Sequence, residues 1–165
     1  ALTGLLDQHL FDETVLVLRD YHAENMIWLP DRDGVKRVGL LDFQDALAGP
    51  PVYDLVSLLQ DARRDVTKAC HTATIHHYLD ATGRSESQVM PVFHLLGLQR
   101  NLRILGIFAR LASDRDKPAY LSLIPRVWRH IQTSLSHPVA SGLAPMINDL
   151  FPDPIPDRFK TGAPN

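Results

Sequence analysis

The sequence predicts an α+β chain, a short β-hairpin unit carrying functional loops followed by a helical bundle. Two patterns carry this prediction. Three short apolar runs, Val15-Leu16-Val17-Leu18, Met26-Ile27-Trp28-Leu29 and Val38-Gly39-Leu40-Leu41, fall early in the chain with turn chemistry between them. From Val52 onward, apolar residues recur at helical spacing.

In chain order, Val15-Leu16-Val17-Leu18 reads as a buried strand. Pro30-Asp31-Arg32-Asp33-Gly34 separates the next two runs, and its Asp-Gly pair supplies the positive φ of a hairpin turn, so residues 26–42 read as a β-hairpin. Tyr53, Leu55, Val56, Leu58 and Leu59 form an amphipathic helix that leads into the charged stretch Asp61-Ala62-Arg63-Arg64-Asp65. A second helix is expected over 67–79 with a turn by Gly83, and a longer one over 91–111. Pro118 and Pro125 bracket shorter helical pieces up to Leu135, and Pro138 suits the first turn of one more. Residues 1–150 are expected to form one lobe, and residues 151–165, with four prolines, an extended tail, packed on the surface or disordered.

The 165 residues are 45% hydrophobic and 22% charged, which excludes global disorder and low complexity. No apolar run approaches the roughly 20 residues of a membrane span, and the N-terminus lacks the pattern of a secretion signal. One cysteine, Cys70, excludes an internal disulfide and multi-cysteine metal sites, fits a reducing cytoplasm, and reads as a buried apolar side chain. The net charge of −2 lacks the basic signature of a nucleic-acid binder. That charge is unevenly spread: residues 1–65 hold 6 Lys/Arg against 12 Asp/Glu, residues 66–165 hold 11 against 7.

A polar cluster meets each end of the hairpin: Arg19-Asp20-Tyr21-His22-Ala23-Glu24-Asn25 before it and Asp42-Phe43-Gln44-Asp45 after it. Antiparallel pairing brings the two together. Phosphoryl transfer needs a carboxylate to orient the attacking hydroxyl and take its proton, and oxygen ligands to hold Mg²⁺ on the nucleotide phosphates. Asp20 suits the first task, Asn25 and Asp42 the second, and hard oxygen donors favour Mg²⁺ over zinc or copper. Asp and Asn are also common turn residues, so the argument rests on the joint pattern of strand, Arg-Asp, Asn five on, hairpin and Asp-Phe. His22-Ala23-Glu24 imitates the H-x-E of zinc deaminases but lacks their P-C-x-x-C. His71, His76 and His77 are spaced so that a helix does not bring all three to one face.

The strings Val17-Leu18-Arg19-Asp20-Tyr21-His22-Ala23-Glu24-Asn25 and Gly39-Leu40-Leu41-Asp42-Phe43-Gln44-Asp45-Ala46, followed by Tyr53-Asp54-Leu55, resemble the catalytic loop, metal-binding segment and helix start of the aminoglycoside phosphotransferase-like kinases. Within that family the likeness extends to the anomeric N-acetylmuramate/N-acetylglucosamine kinases of bacterial cell-wall recycling, through Arg19-Asp20-Tyr21-His22, Asp42-Phe43-Gln44-Asp45 and residues 98–108. The resemblance implies ATP and Mg²⁺ as cofactors, a small-molecule acceptor such as an amino sugar, and the C-terminal lobe of a protein-kinase-like fold. Asp54 could cap the helix that follows it, but the resemblance implies that it props the catalytic loop, and that role is the one expected. Phe43 is expected beneath Asp42. Asp45 and His22 are candidates for substrate contact, with Asp45 equally readable as a solvated loop charge.

Two departures stand out. Leu18 occupies the place where the family commonly has His, a change expected to alter packing rather than chemistry. No Gly-rich phosphate loop or Lys–Glu pair precedes Asp20, so the nucleotide-binding N-terminal lobe is expected to be absent, and the chain alone to bind ATP weakly and turn over little. Arg100, Arg103 and Arg110 fall on roughly one side of the long helix, either as a solvated basic face or, for Arg100 and Arg103, as a border of the acceptor pocket. A site for polycations should be lined by carboxylates, so the basic back half favours a neutral or anionic acceptor. An aminoglycoside, choline-like or other alcohol kinase of the same fold is the alternative within enzymes; a catalytically silent binding module is the alternative outside them.

Overall fold

The structure is a computed structural model that describes residues 1–151. The 151–165 tail expectation therefore lies, apart from Phe151, outside the described residues. The chain divides into two compact units, one of residues 10–83 and one of residues 1–9 with 84 onward. No helix among the described residues is long and apolar enough to cross a membrane.

The first unit contains two small antiparallel pairs. β1 (Val15–Val17) pairs with β4 (Leu47–Gly49) in the register Val15 to Gly49, and β2 (Met26–Trp28) pairs with β3 (Val38–Leu40) in the register Met26 to Leu40. The β2–β3 pair is the expected hairpin. Its connection is longer than a two-residue turn: Gly34 does adopt positive φ (+54°), but it opens a 3₁₀ turn over Gly34–Arg37. β4 is a strand the sequence does not announce, because three residues of Leu-Ala-Gly before Pro50 are too few to show a period. After it come α2 (Tyr53–Leu59) and α3 (Lys68–Thr82). Thr67 caps α3 by accepting from the Cys70 N–H at 3.2 Å, and Gly83 ends it at φ +66°, the left-handed conformation that glycine reaches without strain.

One expectation needs correction here, and one alternative falls. Cys70 is exposed, because it lies away from the single buried position of α3, Ile75. Asp54 does not occupy the N-cap of α2; Val52 does, and Asp54 lies inside the first turn. In the charged stretch after α2, Asp61 is buried.

The second unit is helical. It holds α1 (Leu2–His9), α4 (Glu86–Asp114), a 3₁₀ turn over Pro118–Leu123, α5 (Ile124–Leu135), α6 (Pro138–Ser141) and α7 (Ala144–Leu150). α4 is the spine, packing against α1, α5, α6 and the 3₁₀ turn. It begins at Glu86 rather than at Pro91, because Ser85 and Gln88 form a reciprocal capping box that closes the end five residues earlier. Pro91 therefore sits inside the helix. Phe93, Leu95 and Leu98 from α4 and Ile124, Val127 and Ile131 from α5 are all but fully buried. Asn101, also buried, donates through Nδ2 to the Gly97 carbonyl one turn back.

Candidate active site

Every residue of the two polar clusters lies in the first unit. Asp20 and Asn25 lie between β1 and β2, and Asp42 lies just past β3. The Leu41 N–H donates to the Asn25 carbonyl at 2.9 Å, so the hairpin itself ties the two loops together. Asn25 donates through Nδ2 to the Asp20 carbonyl at 2.9 Å. That bond uses the amide nitrogen and leaves its side-chain oxygen as the donor atom available to a cation. The Asp42 carboxylate accepts from Gln44 Nε2 at 2.8 Å through Oδ1. Asp20, Asp42 and Asp45 are exposed.

Two non-glycine residues of this region adopt positive φ, Arg19 at +69° and Asp42 at +58°. Such conformations cost on the order of 1 kcal/mol or more and need surrounding structure to hold them. At Arg19 that structure is visible. The Asp54 carboxylate accepts from the Leu18 N–H at 2.7 Å and the Arg19 N–H at 3.0 Å, while the Ser57 hydroxyl donates to the Arg19 carbonyl at 2.9 Å. The Asp20 N–H donates to the Leu18 carbonyl at 2.8 Å across this bend. Thus α2 grips the backbone before Asp20 through two side chains one turn apart. Ser57 is a contributor that sequence reasoning misses; a lone Ser in an apolar helix gives little sign of its partner. Arg19 reaches the Asp45 carbonyl at the long distance of 3.5 Å, which brings Asp45 alongside through its backbone.

His22 is buried. Burial, and then the Arg63 guanidinium, lower its pKa below the ordinary histidine value, against the opposing charges of Asp61, Asp20 and Glu24. Burial and the Asp54 charge push the Tyr21 phenol up. Arg63 pairs with Glu24 at 3.2 Å, and its backbone N–H donates to Asp61 Oδ1 at 2.8 Å.

Other predicted residues lie differently. Phe43 is 62% exposed and is not buried beneath Asp42. Arg100 and Arg103 belong to the helical unit. Arg100 is buried whereas Arg103 and Arg110 are exposed, so they do not make one solvated face. At about 100° per residue, Arg103 and Arg110 nearly coincide around the helix while Arg100 falls well to one side. The helical unit carries an open groove of about 630 Å³ lined by Glu86, Ser87, Met90, Pro91 and His137, none of them a predicted site residue.

Among the described residues no three His, Cys, Asp or Glu side chains gather into a metal cluster. The donor set present, one carboxamide oxygen and one carboxylate on linked loops, suits a hard cation that takes its remaining ligands from phosphate and water.

A carboxylate and a carboxamide on one loop and a second carboxylate just past the hairpin are the oxygen donors that phosphoryl transfer uses. The model of the phosphotransferase enzyme family matches residues 1–90, and the chain belongs to that family. It is similar to N-acetylmuramate/N-acetylglucosamine kinases of several bacteria. The protein of Caulobacter vibrioides is 46% identical over 133 residues, covering 80% of this chain and 37% of the relative. That of Pseudomonas putida is 33% identical over 154 residues, covering 88% and 44%, and that of Neisseria meningitidis is 35% identical over 138 residues, covering 78% and 39%. The chain thus spans about two fifths of the length of these curated relatives.

Proposed function

We propose that this chain is the C-terminal lobe of an ATP- and Mg²⁺-dependent small-molecule kinase that phosphorylates a sugar hydroxyl, the anomeric one of N-acetylmuramate or N-acetylglucosamine. The observation that carries the reading is the placement of Asp20, Asn25 and Asp42 on two loops, tied by the Leu41 N–H on the Asn25 carbonyl and by Asn25 Nδ2 on the Asp20 carbonyl. The names of the similar proteins supply the acceptor. The +4 balance of residues 66–165 (11 Lys/Arg, 7 Asp/Glu) supports a neutral or anionic acceptor over a polycationic one.

In this reading Asp20 orients the acceptor hydroxyl toward the γ-phosphorus. As the new O–P bond forms and the bond to ADP breaks, the hydroxyl proton passes to the Asp20 carboxylate. Asn25 and Asp42 would hold Mg²⁺, which when bound would neutralise charge on the nucleotide phosphates. Asp54 and Ser57 keep the Arg19 bend, and with it the start of the catalytic loop, in place. The nucleotide cradle is assigned to the rest of the full-length protein, and the reaction to the cytoplasm.

The test is ADP release by the full-length protein with Mg-ATP and N-acetylmuramate, N-acetylglucosamine, choline or kanamycin, using Asp20→Asn as control. Turnover that depends on the amino sugar and is lost in Asp20→Asn is the expected result. Turnover with choline or kanamycin alone would overturn the acceptor assignment, and silence with all four would overturn the reading as a kinase of this acceptor class.

A further inference from the structure

Beside the three residues assigned to the reaction, the same unit holds two buried polar groups that the chemistry above does not use. Asp61 is 2% exposed; its Oδ1 accepts from the Arg63 N–H, while Oδ2 is closed off from solvent with no hydrogen-bond partner among the described residues. His22 is 7% exposed, and of its two ring nitrogens only Nδ1 is likewise closed off and unpartnered. A buried carboxylate oxygen and a buried ring nitrogen each cost free energy unless a complementary group answers them.

These two groups are held near each other by ties independent of either side chain's orphaned atom. The Arg63–Glu24 ion pair fastens the turn after Asp61 to the turn after His22. Asp61 lies within the electrostatic field of the imidazole, as do Arg63, Asp20 and Glu24. The His22 N–H donates to the Asp20 carbonyl at 3.1 Å, so the ring stands one tight turn from the proposed catalytic carboxylate.

We propose that His22 is a substrate-positioning residue that presents Nε2 to a hydroxyl or amide N–H of the acceptor, and that Asp61 fixes the imidazole from behind through Nδ1, directly or across one water. The proposal deepens the kinase reading and rests on it. It gives both orphaned atoms a role: Nδ1–H donates toward Asp61 Oδ2, which leaves the lone pair on Nε2. A carboxylate behind a histidine is a common way to fix its tautomer and ring orientation. The group read there is one that can donate to that lone pair, such as a ring hydroxyl or an N-acetyl N–H.

The test uses the full-length protein and separates the two ring nitrogens. Gln places a polar atom near the position of Nε2, and Asn places one near Nδ1. His22→Asn should raise the acceptor KM roughly tenfold, the size of one lost hydrogen bond, and His22→Gln by less, with the KM for ATP within about twofold in both. Asp61→Asn should raise the acceptor KM in the wild-type background and add little once His22 is Gln, because Asp61 acts through the ring. Equal behaviour of the Gln and Asn variants, an acceptor KM unchanged in both, or an Asp61 effect that persists undiminished without His22 would overturn the proposal. If Asp61→Asn does not fold, the two His22 variants still decide whether Nε2 is the atom that matters. Absence of turnover by the wild-type protein with any acceptor would instead overturn the kinase reading, and this role with it.

Discussion

The helical unit buries Phe93, Leu95, Leu98, Ile124 and Ile131 almost completely, whereas in the loop-bearing unit Leu16, Trp28, Val35 and Phe43 stand 62–90% exposed. Both units are rich in apolar residues, yet they order their chains by different means. In the helical unit, side chains from long helices interlock and the backbone satisfies itself. In the loop-bearing unit the strands are three residues each, and the bends beside Asp20 are set by polar side chains that grip backbone atoms: Asp54 and Ser57 at Arg19, Asn25 at Asp20. The loop-bearing unit keeps a smaller apolar core, with Val17, Val52, Val56 and Leu59 buried, and adds to it the polar grips that place chemical groups.

That contrast predicts which substitutions separate activity from stability. The largest effect belongs to Asp20→Asn, expected to lower turnover of the full-length protein by a factor on the order of 10³ while leaving the melting temperature close to wild type. A parallel loss of melting temperature would show that Asp20 supports the fold instead. Next is Phe93→Ala, expected to destabilise by about 3–5 kcal/mol in chemical denaturation, with activity lost only as the protein unfolds. Asp54→Ala should cost less stability, about 1–3 kcal/mol, because it strands two backbone N–H groups that are partly buried. Its loss of kcat should nevertheless exceed that of Phe93→Ala measured at a temperature where both remain folded. Equal kcat in the two would mean that the Arg19 bend does not depend on Asp54.

Smaller effects should follow pH and surface. Burial lowers the pKa of His22, His71 and His137 below the unfolded value, so the unfolded chain binds more protons on acidification. The stability contributed by their neutral forms is fully present above about pH 6.5 and is lost as pH falls through that value toward their folded pKa values. Melting temperature should thus decline between pH 8 and pH 5; a flat profile across that window would contradict the burial of these rings. Smallest of all is Val35→Ser, expected to change the stability of this chain by about 0.5 kcal/mol or less, since its side chain is 90% exposed and has little burial to lose.

The contrast also explains what could be read from the chain. The β2–β3 hairpin, the caps of α3 at Thr67 and Gly83 and the first turn of α6 at Pro138 depend on local chemistry, and their residue types declare them. The capping box Ser85–Gln88 is equally local and marks the true start of α4, although Pro91 offers a competing start signal. Tertiary burial is not local. Nothing in Gln60-Asp61-Ala62-Arg63 distinguishes a solvated charged turn from one that hides a carboxylate, and nothing around Cys70 or Arg100 announces that the thiol is outside and the guanidinium inside. Within the candidate site, Asp20, Asn25 and Asp42 stand out through their spacing around a hairpin, whereas Ser57 and Asp61 gain meaning only from the residues the fold brings to them.

Calorimetric titration of Mg-nucleotide into the full-length protein and its Asp20→Asn and Asp42→Ala variants tests the central claim most directly. The account predicts that Asp20→Asn binds within about threefold of wild type, because its carboxylate serves the acceptor, whereas Asp42→Ala loses affinity by about tenfold or more, because it removes a metal ligand. Undiminished Mg-nucleotide binding by Asp42→Ala would contradict the assignment of these loops to one phosphoryl-transfer site.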